Sequence, residues 1–286
     1  MEAVKKDGNA LLYASDKLKS DCRIVKNAVN QNGLALRFAS TNLRKDRNIV
    51  MTAVNQAGEA LAYAPMLQGE KEIVMLSVKQ WGLAIRYALS ELLGDREIAI
   101  EAVRQNGVAL FHVSEKLKND LNIVMEAVNQ NGYSLQYASE ELRDNYNIVM
   151  AAVKQDGSSL GCASIRLKSD RNIVEQAVMQ NGFSMMYAPA DLKGNEEIVK
   201  KAIENDKLEV LNYVSPELKD NRDIIMYAVN KDGVKLFHAS NALKDDYEVV
   251  MNAVIQDGNA LNYASVKLKN DFEIVTQAFF QNEHSL

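Results

Sequence analysis

The sequence predicts an all-α solenoid: one continuous array over residues 1–286, built from about twelve two-helix repeats of 25 residues. Three observations carry this. The pair Ala-Val, or a close variant, begins at residues 3, 28, 53, 77, 102, 127, 152, 177, 202, 228, 253 and 278, so the spacing is 25, broken once to 24 and once to 26. An Asp or Asn stands three residues before nearly every Ile-Val pair, and a Gly follows nearly every Gln-Asn pair. Counted from that Asp, the unit reads D-x-x-I-V-x-x-A-V-x-Q-N-G-x-A-L-x-Y-A-S-x-x-L-K-x, and Asp120 to Asp144 is a clear copy. Ten units are whole, 21–270, with partial units at 1–20 and 271–286.

Position one predicts a helix start. It is Asp21, Asp46, Asp95, Asp120, Asp170, Asp246 and Asp271, or Asn145, Asn195 and Asn221, and Glu70 alone deviates. Asp and Asn side chains accept from the free N–H groups of a first helical turn. Apolar residues at positions four, five, eight and nine (Ile123, Val124, Ala127, Val128) then form one stripe. The Gly at position thirteen, as in Gly33, Gly107, Gly132 and Gly182, is expected to end this helix in a left-handed conformation. A shorter helix, x-A-L-x-Y-A, follows. Pro65, Pro189 and Pro216 fall just after it, so a break belongs there and Ser-x-x-Leu-Lys reads as a capped turn. Such a unit cannot bury its own stripe and must stack on its neighbours. The ninth unit departs: it has an extra residue, Asn205 for Gln and Lys207 for Gly. Its first helix is expected to run on toward Leu208, with the turn re-formed over 204–211.

The motif "IV..AV.QNG.AL.YAS..LK.D" resembles the helical repeat family catalogued as domain of unknown function 4116, over essentially the whole chain. The resemblance implies an all-helical array, commonly one part of a longer polypeptide and found among secreted effectors of intracellular bacteria. It brings no catalytic motif to carry over.

Composition excludes several classes. The formal charge is -5, from 33 Lys plus Arg against 38 Asp plus Glu, which gives no general attraction to nucleic acid or anionic lipid. There is no run of eighteen apolar residues, and the first residues lack the apolar segment of a signal peptide, so no membrane partner is expected. Two cysteines cannot build a disulfide framework, and no metal-type Cys/His spacing exists. The expected compartment is intracellular: the cytoplasm, or a host cytosol for an effector.

Residues able to carry chemistry have structural readings as well. His112 and His238 occupy the position-eighteen slot that is otherwise mostly Tyr, and read as half-buried rings; Cys162 fills the same slot. Cys22 follows an N-cap Asp but has no His near it in sequence. The Asp ladder is accounted for by capping. The Gln ladder (Gln31, Gln56, Gln80, Gln105, Gln130, Gln155, Gln180, Gln256, Gln281) is expected to bond the next repeat's loop and fix register. A row of base-edge readers is the sharper alternative. The methionines at position six read as packing, and Arg47, Arg96, Arg171 and Arg222 sit unfavourably at helix starts, where stacking on a neighbouring layer and meeting a partner's carboxylates are both open.

The functional expectation comes from the short helix. In several repeats positions fourteen and seventeen are apolar although the structure needs only one stripe, so Val108, Phe111, Tyr133, Phe183, Met186, Val234 and Phe237 are candidate partner-binding residues. The leading reading is a non-enzymatic scaffold for a protein or peptide, with no cofactor, no metal and no catalytic residues. One alternative is the recognition segment of a larger effector-type enzyme whose catalytic part lies outside this chain. Another is single-stranded RNA binding, which the acidic balance disfavours. The terminal units keep their apolar positions, so the ends are expected either to come from trimming a longer array or to pair with another copy by end-to-end self-association.

Overall fold

A computed structural model describes residues 1–205 and 210–283. Every regular element among the described residues is helical. The chain divides into two compact units, Met1–Gln155 with Cys162–Ser164, and Asp156–Gly161 with Ile165–Leu286. Each is an all-α repeat array of the solenoid class.

The long helices of the first unit are Cys22–Gln31, Arg47–Gln56, Lys71–Gln80, Arg96–Gln105, Leu121–Gln130 and Tyr146–Gln155. Those of the second are Arg171–Gln180, Glu196–Glu204, Arg222–Lys231, Tyr247–Gln256 and Phe272–Glu283. Nearly all begin as the sequence requires. The Asp120 carboxylate accepts from the N–H groups of Asn122 and Ile123 at 3.0 and 3.1 Å, and the neutral amide of Asn145 does the same for Asn147 and Ile148. Glu70, one methylene longer, makes no such bond. Ile123, Val124, Ala127 and Val128 are wholly buried, and each Ile or Val so buried contributes roughly 1.5–3 kcal/mol.

The second helix is tighter than an α-helix. Gly33–Phe38, Gly107–His112, Gly132–Tyr137 and Gly233–His238 are six-residue 3₁₀ helices. In most repeats their starts are capped by position twelve: Asn106 accepts from Val108 N–H at 3.0 Å and Asn131 from Tyr133 N–H at 3.0 Å. With three residues per turn, side chains three apart eclipse. Positions thirteen and sixteen therefore form one column, fourteen and seventeen a second, fifteen and eighteen a third. The first column, Gly107 over Leu110, is wholly buried. A one-turn helix follows, such as Glu115–Lys118 or Glu140–Arg143, and leads to the next Asp; Ser139 caps the second by accepting from Leu142 N–H at 3.2 Å, whereas Ser114 makes no such bond to the first.

The glycine expectation is corrected. Gly33, Gly107 and Gly182 do not take a left-handed φ; they open the 3₁₀ helix. Their need is space. A Cβ on Gly107 would collide with the carbonyl oxygen of Ala127 in the following repeat, and Gly33, Gly82, Gly157, Gly182 and Gly233 meet the equivalent carbonyl. Position thirteen is glycine because two backbones touch there.

The glutamines hold the same seam, with their direction reversed from the expectation. Gln130 Oε1 accepts from the N–H of Gly107, in the preceding repeat, at 2.6 Å; Gln31, Gln105, Gln155 and Gln180 accept alike from Gly8, Gly82, Gly132 and Gly157. In the ninth repeat, where Gln is lost, the backbone carbonyl of Asn205 takes the N–H of Gly182 at 3.1 Å instead. The long helix there ends at Glu204. Its expected extension toward Leu208 and the re-formed turn at Lys207 lie outside the described residues.

Candidate interaction ridge

The second column of the 3₁₀ helices carries the candidate residues. In the first unit Val108 stands over Phe111, one repeat before Tyr133; in the second, Phe183 stands over Met186 and Val234 over Phe237. Phe111 and Phe237 are each 54% exposed and Tyr133 is 48% exposed, whereas Val108, Phe183, Met186 and Val234 are half-buried. Phe183 is held by the next repeat, its ring edge-on to Tyr213 with centroids 5.4 Å apart.

Phe111 and Phe237 sit in matching surroundings. Phe111 meets His112 edge-on at 4.9 Å and Tyr137 of the next repeat at 5.2 Å; Phe237 meets His238 at 5.0 Å and Tyr263 at 5.3 Å. Over the rings stand Lys118 Nζ, 5.8 Å from the Phe111 centroid, and Lys244 Nζ, 5.6 Å from that of Phe237. These two repeats are five apart and are the two in which position seventeen is Phe and position eighteen is His. Burial, and then the nearby charges of Arg86 and Lys118, push the His112 imidazole below its ordinary value, so it is neutral at pH 7.

Reading the ridge from its apolar pattern missed its cations. Lys118, Lys193, Lys219 and Lys244, each seven residues after position seventeen, fold back over the short helix. Lys193 Nζ donates to Met186 O at 3.0 Å and Lys219 Nζ to Asn212 O at 3.4 Å. Lys118 and Lys244 make the same return onto a ring. Arg86 at position seventeen lies over Trp81 and Tyr87, 4.9 and 4.8 Å from their centroids. A cation seven residues after the ridge position is the signal that could have been read.

Ion pairs to the following repeat settle the helix-start arginines. Arg47 reaches Glu70 and Glu72, Lys71 reaches Asp95 and Glu97, and Arg96 reaches Asp120, each in the following repeat. In the second unit Arg171 meets Glu197, and Arg222 meets Asp246 and Glu248. These cations serve the neighbouring layer. The Lys71 hydrogen bonds to Asp95 and Glu97 hold its ammonium above its ordinary value.

Other surfaces are plainer. The methionines Met51, Met75, Met125, Met150, Met226 and Met251 are half-buried along the long helices. One open hollow of about 500 Å³ there is lined by Asn129, Asn147, Met150, Ala151, Lys154 and Gln155. Phe272, Phe279 and Phe280 are exposed on the last helix. Among the described residues no group of three His, Cys, Asp or Glu side chains could hold a metal ion. No described helix is long and apolar enough to cross a membrane.

Fold and ridge define a helical repeat array of the α-solenoid class, and sequence comparison places it within a family. A family model described as a domain of unknown function, DUF4116, matches eight times, at residues 1–44, 21–68, 46–93, 70–118, 95–143, 145–193, 195–244 and 246–286. The chain belongs to this family. Seven of the matches begin at a position-one residue, Asp21, Asp46, Glu70, Asp95, Asn145, Asn195 or Asp246, and each spans nearly two repeats. No curated protein and no solved structure matches the chain.

Proposed function

We propose that the chain is a non-enzymatic interaction scaffold that offers its short-helix ridge to a protein or peptide. The observation that carries this is the exposure of Phe111 and Phe237, each 54%, on helices whose first column, Gly107 with Leu110 and Gly233 with Leu236, is buried in the repeat seam. Large rings left this open on an ordered element are the anchors that protein partners cover, and aromatic anchors dominate interface energies. Each ring is braced by edge contacts within its own repeat and to the next, so little ordering cost accompanies binding. We assign an intracellular setting on the exposed thiol of Cys22, which an oxidising compartment would leave open to exchange.

The test is affinity capture with mass spectrometry, comparing the wild type with the double variant Phe111→Ala/Phe237→Ala. Partners lost from the variant support the ridge. A partner set identical for both proteins removes it.

A further inference from the structure

Cations at the helix starts and on the ridge are compensated differently. At the long-helix starts Arg47, Lys71, Arg96, Arg171 and Arg222 each face a carboxylate. On the ridge Arg86, Lys118 and Lys244 face rings, whereas Lys193 and Lys219 meet backbone carbonyls. Among the described residues no carboxylate lies within ion-pair distance of Arg86 or Lys244. Lys118 has one, Glu115 at 2.7 Å on its own turn, and that carboxylate is itself 87% exposed. Five repeats on, the counterpart of Glu115 is Asn241. Burial pulls the Lys244 ammonium below its ordinary value with no acid to offset it.

Among the described residues Phe237 is thus an exposed ring beside an ammonium with no acid, and Phe111 one beside an ammonium whose single acid, Glu115, lies open to solvent. The chemistry that completes each cluster is an apolar side chain next to a carboxylate. We propose that the Phe111–Lys118 and Phe237–Lys244 clusters are two docking points for acidic peptide segments, one in each unit. An apolar side chain of the segment covers the exposed ring face, and a neighbouring Asp or Glu meets the lysine. One chain then holds two segments. This rests on the scaffold reading and adds the partner's chemistry to it.

Single-stranded nucleic acid is the competing anionic partner, and the ridge argues against it. Stacking successive bases requires ring after ring along a positive track. Between the two clusters position seventeen is Gln136, Gly161, Met186 and Asn212, and the two position-fourteen rings there, Tyr133 and half-buried Phe183, have no cation over them among the described residues. Two ring-and-cation clusters five repeats apart suit peptide segments and not a continuous strand.

The experiment uses the full chain and labelled peptides that alternate Leu with Glu, with Lys or with Ser, together with oligouridylate. Anisotropy gives affinity and native mass spectrometry gives stoichiometry. The Glu peptide is expected to bind two per chain, falling to one in Phe111→Ala and in Phe237→Ala and to none in the double variant. Lys118→Met and Lys244→Met, which keep the ring, are expected to weaken their own site about tenfold, as loss of a charge-assisted contact does. The proposal is overturned by a single bound Glu peptide, by binding that the double variant retains, by equal binding of the Lys peptide or oligouridylate, or by no binding of the Glu peptide. If the Ser or Lys peptide binds instead and the double variant loses it, the scaffold reading stands and the acidic chemistry falls. If no peptide binds and affinity capture shows no difference, both fall.

Discussion

The backbone N–H of Gly107 donates to Oε1 of Gln130 at 2.6 Å, across the boundary between one repeat and the next. The N–H opens a 3₁₀ helix and so has no partner within its own repeat. Gly107 is buried, so without the amide this donor would be left unsatisfied. Gln130→Ala should therefore cost about 1–3 kcal/mol of folding stability, the penalty of an unpaired buried group. Denaturant midpoints would show it. A change below a few tenths of a kcal/mol would mean that water replaces the amide and that the Gln ladder does not set register.

Glycine at this seam answers to contact and not to conformation, and two substitutions separate the causes. Gly107→Ala forces a Cβ into the carbonyl of Ala127, backbone against backbone, and should destabilise by about 3 kcal/mol. Gly94→Ala meets nothing nearer than Ser114 Oγ at 3.7 Å. With φ at -94°, Gly94 should accept Ala at no cost or gain about 0.4–1 kcal/mol from the unfolded state. Equal losses at both positions would contradict the assignment.

Much of this fold was legible because capping and stripe signals are local. Asp120 and Asn145 read as N-caps, and both cap; Ile123, Val124, Ala127 and Val128 read as the buried stripe, and all are buried. Gly107 was legible as a turn but not in its cause, since Gln-Asn-Gly also marks a left-handed helix end, and the clash with Ala127 belongs to another repeat. Six residues of x-A-L-x-Y-A do not tell a 3₁₀ helix from an α-helix, so the eclipsed pairing of Val108 with Phe111 was hidden. The candidate ridge was visible as surplus apolar residues. Which of them lie open was not, because the ring that meets Phe183 is Tyr213 and the cation over Phe111 is Lys118, both set by tertiary return of the chain.

Three consecutive repeats carry Ser in place of the usual Ala at position fifteen. Ser134, Ser159 and Ser184 are wholly buried, and their hydroxyls find no hydrogen-bond partner among the described residues. Ala109 and Ala260 fill the same slot elsewhere, so the site accepts a methyl without rearrangement. Each Ser→Ala change should stabilise by about 1 kcal/mol by removing an uncompensated polar group. The triple variant should melt higher than the wild type; a lower melting temperature would reveal a partner for these hydroxyls.

Acid sensitivity should trace to the cap carboxylates. The Val249 N–H donates to Asp246, and this outweighs the upward push of burial; Arg222 pulls the carboxyl down further. Asp246 is thus held below its ordinary 3.8 when folded. A depressed carboxyl contributes stability that is complete above the unfolded value and is lost as pH falls through the folded one. Asp95 and Asp120 are lowered likewise, by hydrogen bonds and cations that overcome burial. Stability should therefore hold above about pH 5 and decline below pH 4. Asp246→Asn keeps a capping oxygen, as Asn221 does, and should flatten the acid limb. Urea midpoints between pH 3 and 6 that fall as steeply for the variant as for the wild type would sink this.

The aromatic residues of the ridge should separate by stability before any partner is involved. Phe111 is more than half exposed, and what it would lose on truncation is chiefly its edge contacts with His112 and Tyr137 and the lysine over its face. Such ring pairs are worth about 0.5–1.5 kcal/mol each, and partial exposure returns some of that to solvent. Phe111→Ala should therefore cost about 1 kcal/mol, well short of the roughly 3–5 kcal/mol of a fully buried Phe. Phe237→Ala, in the matching cluster, should cost the same within error. Phe183 differs because it is half-buried between its own repeat and Tyr213, so Phe183→Ala should cost about 2 kcal/mol. The expected order is Phe183 above Phe111 and Phe237, the latter two equal, read from guanidinium unfolding of each unit's fluorescence. If Phe111→Ala proves as costly as Phe183→Ala, its ring is part of the seam, and a partner at the ridge must rest on Tyr133 and the lysines instead.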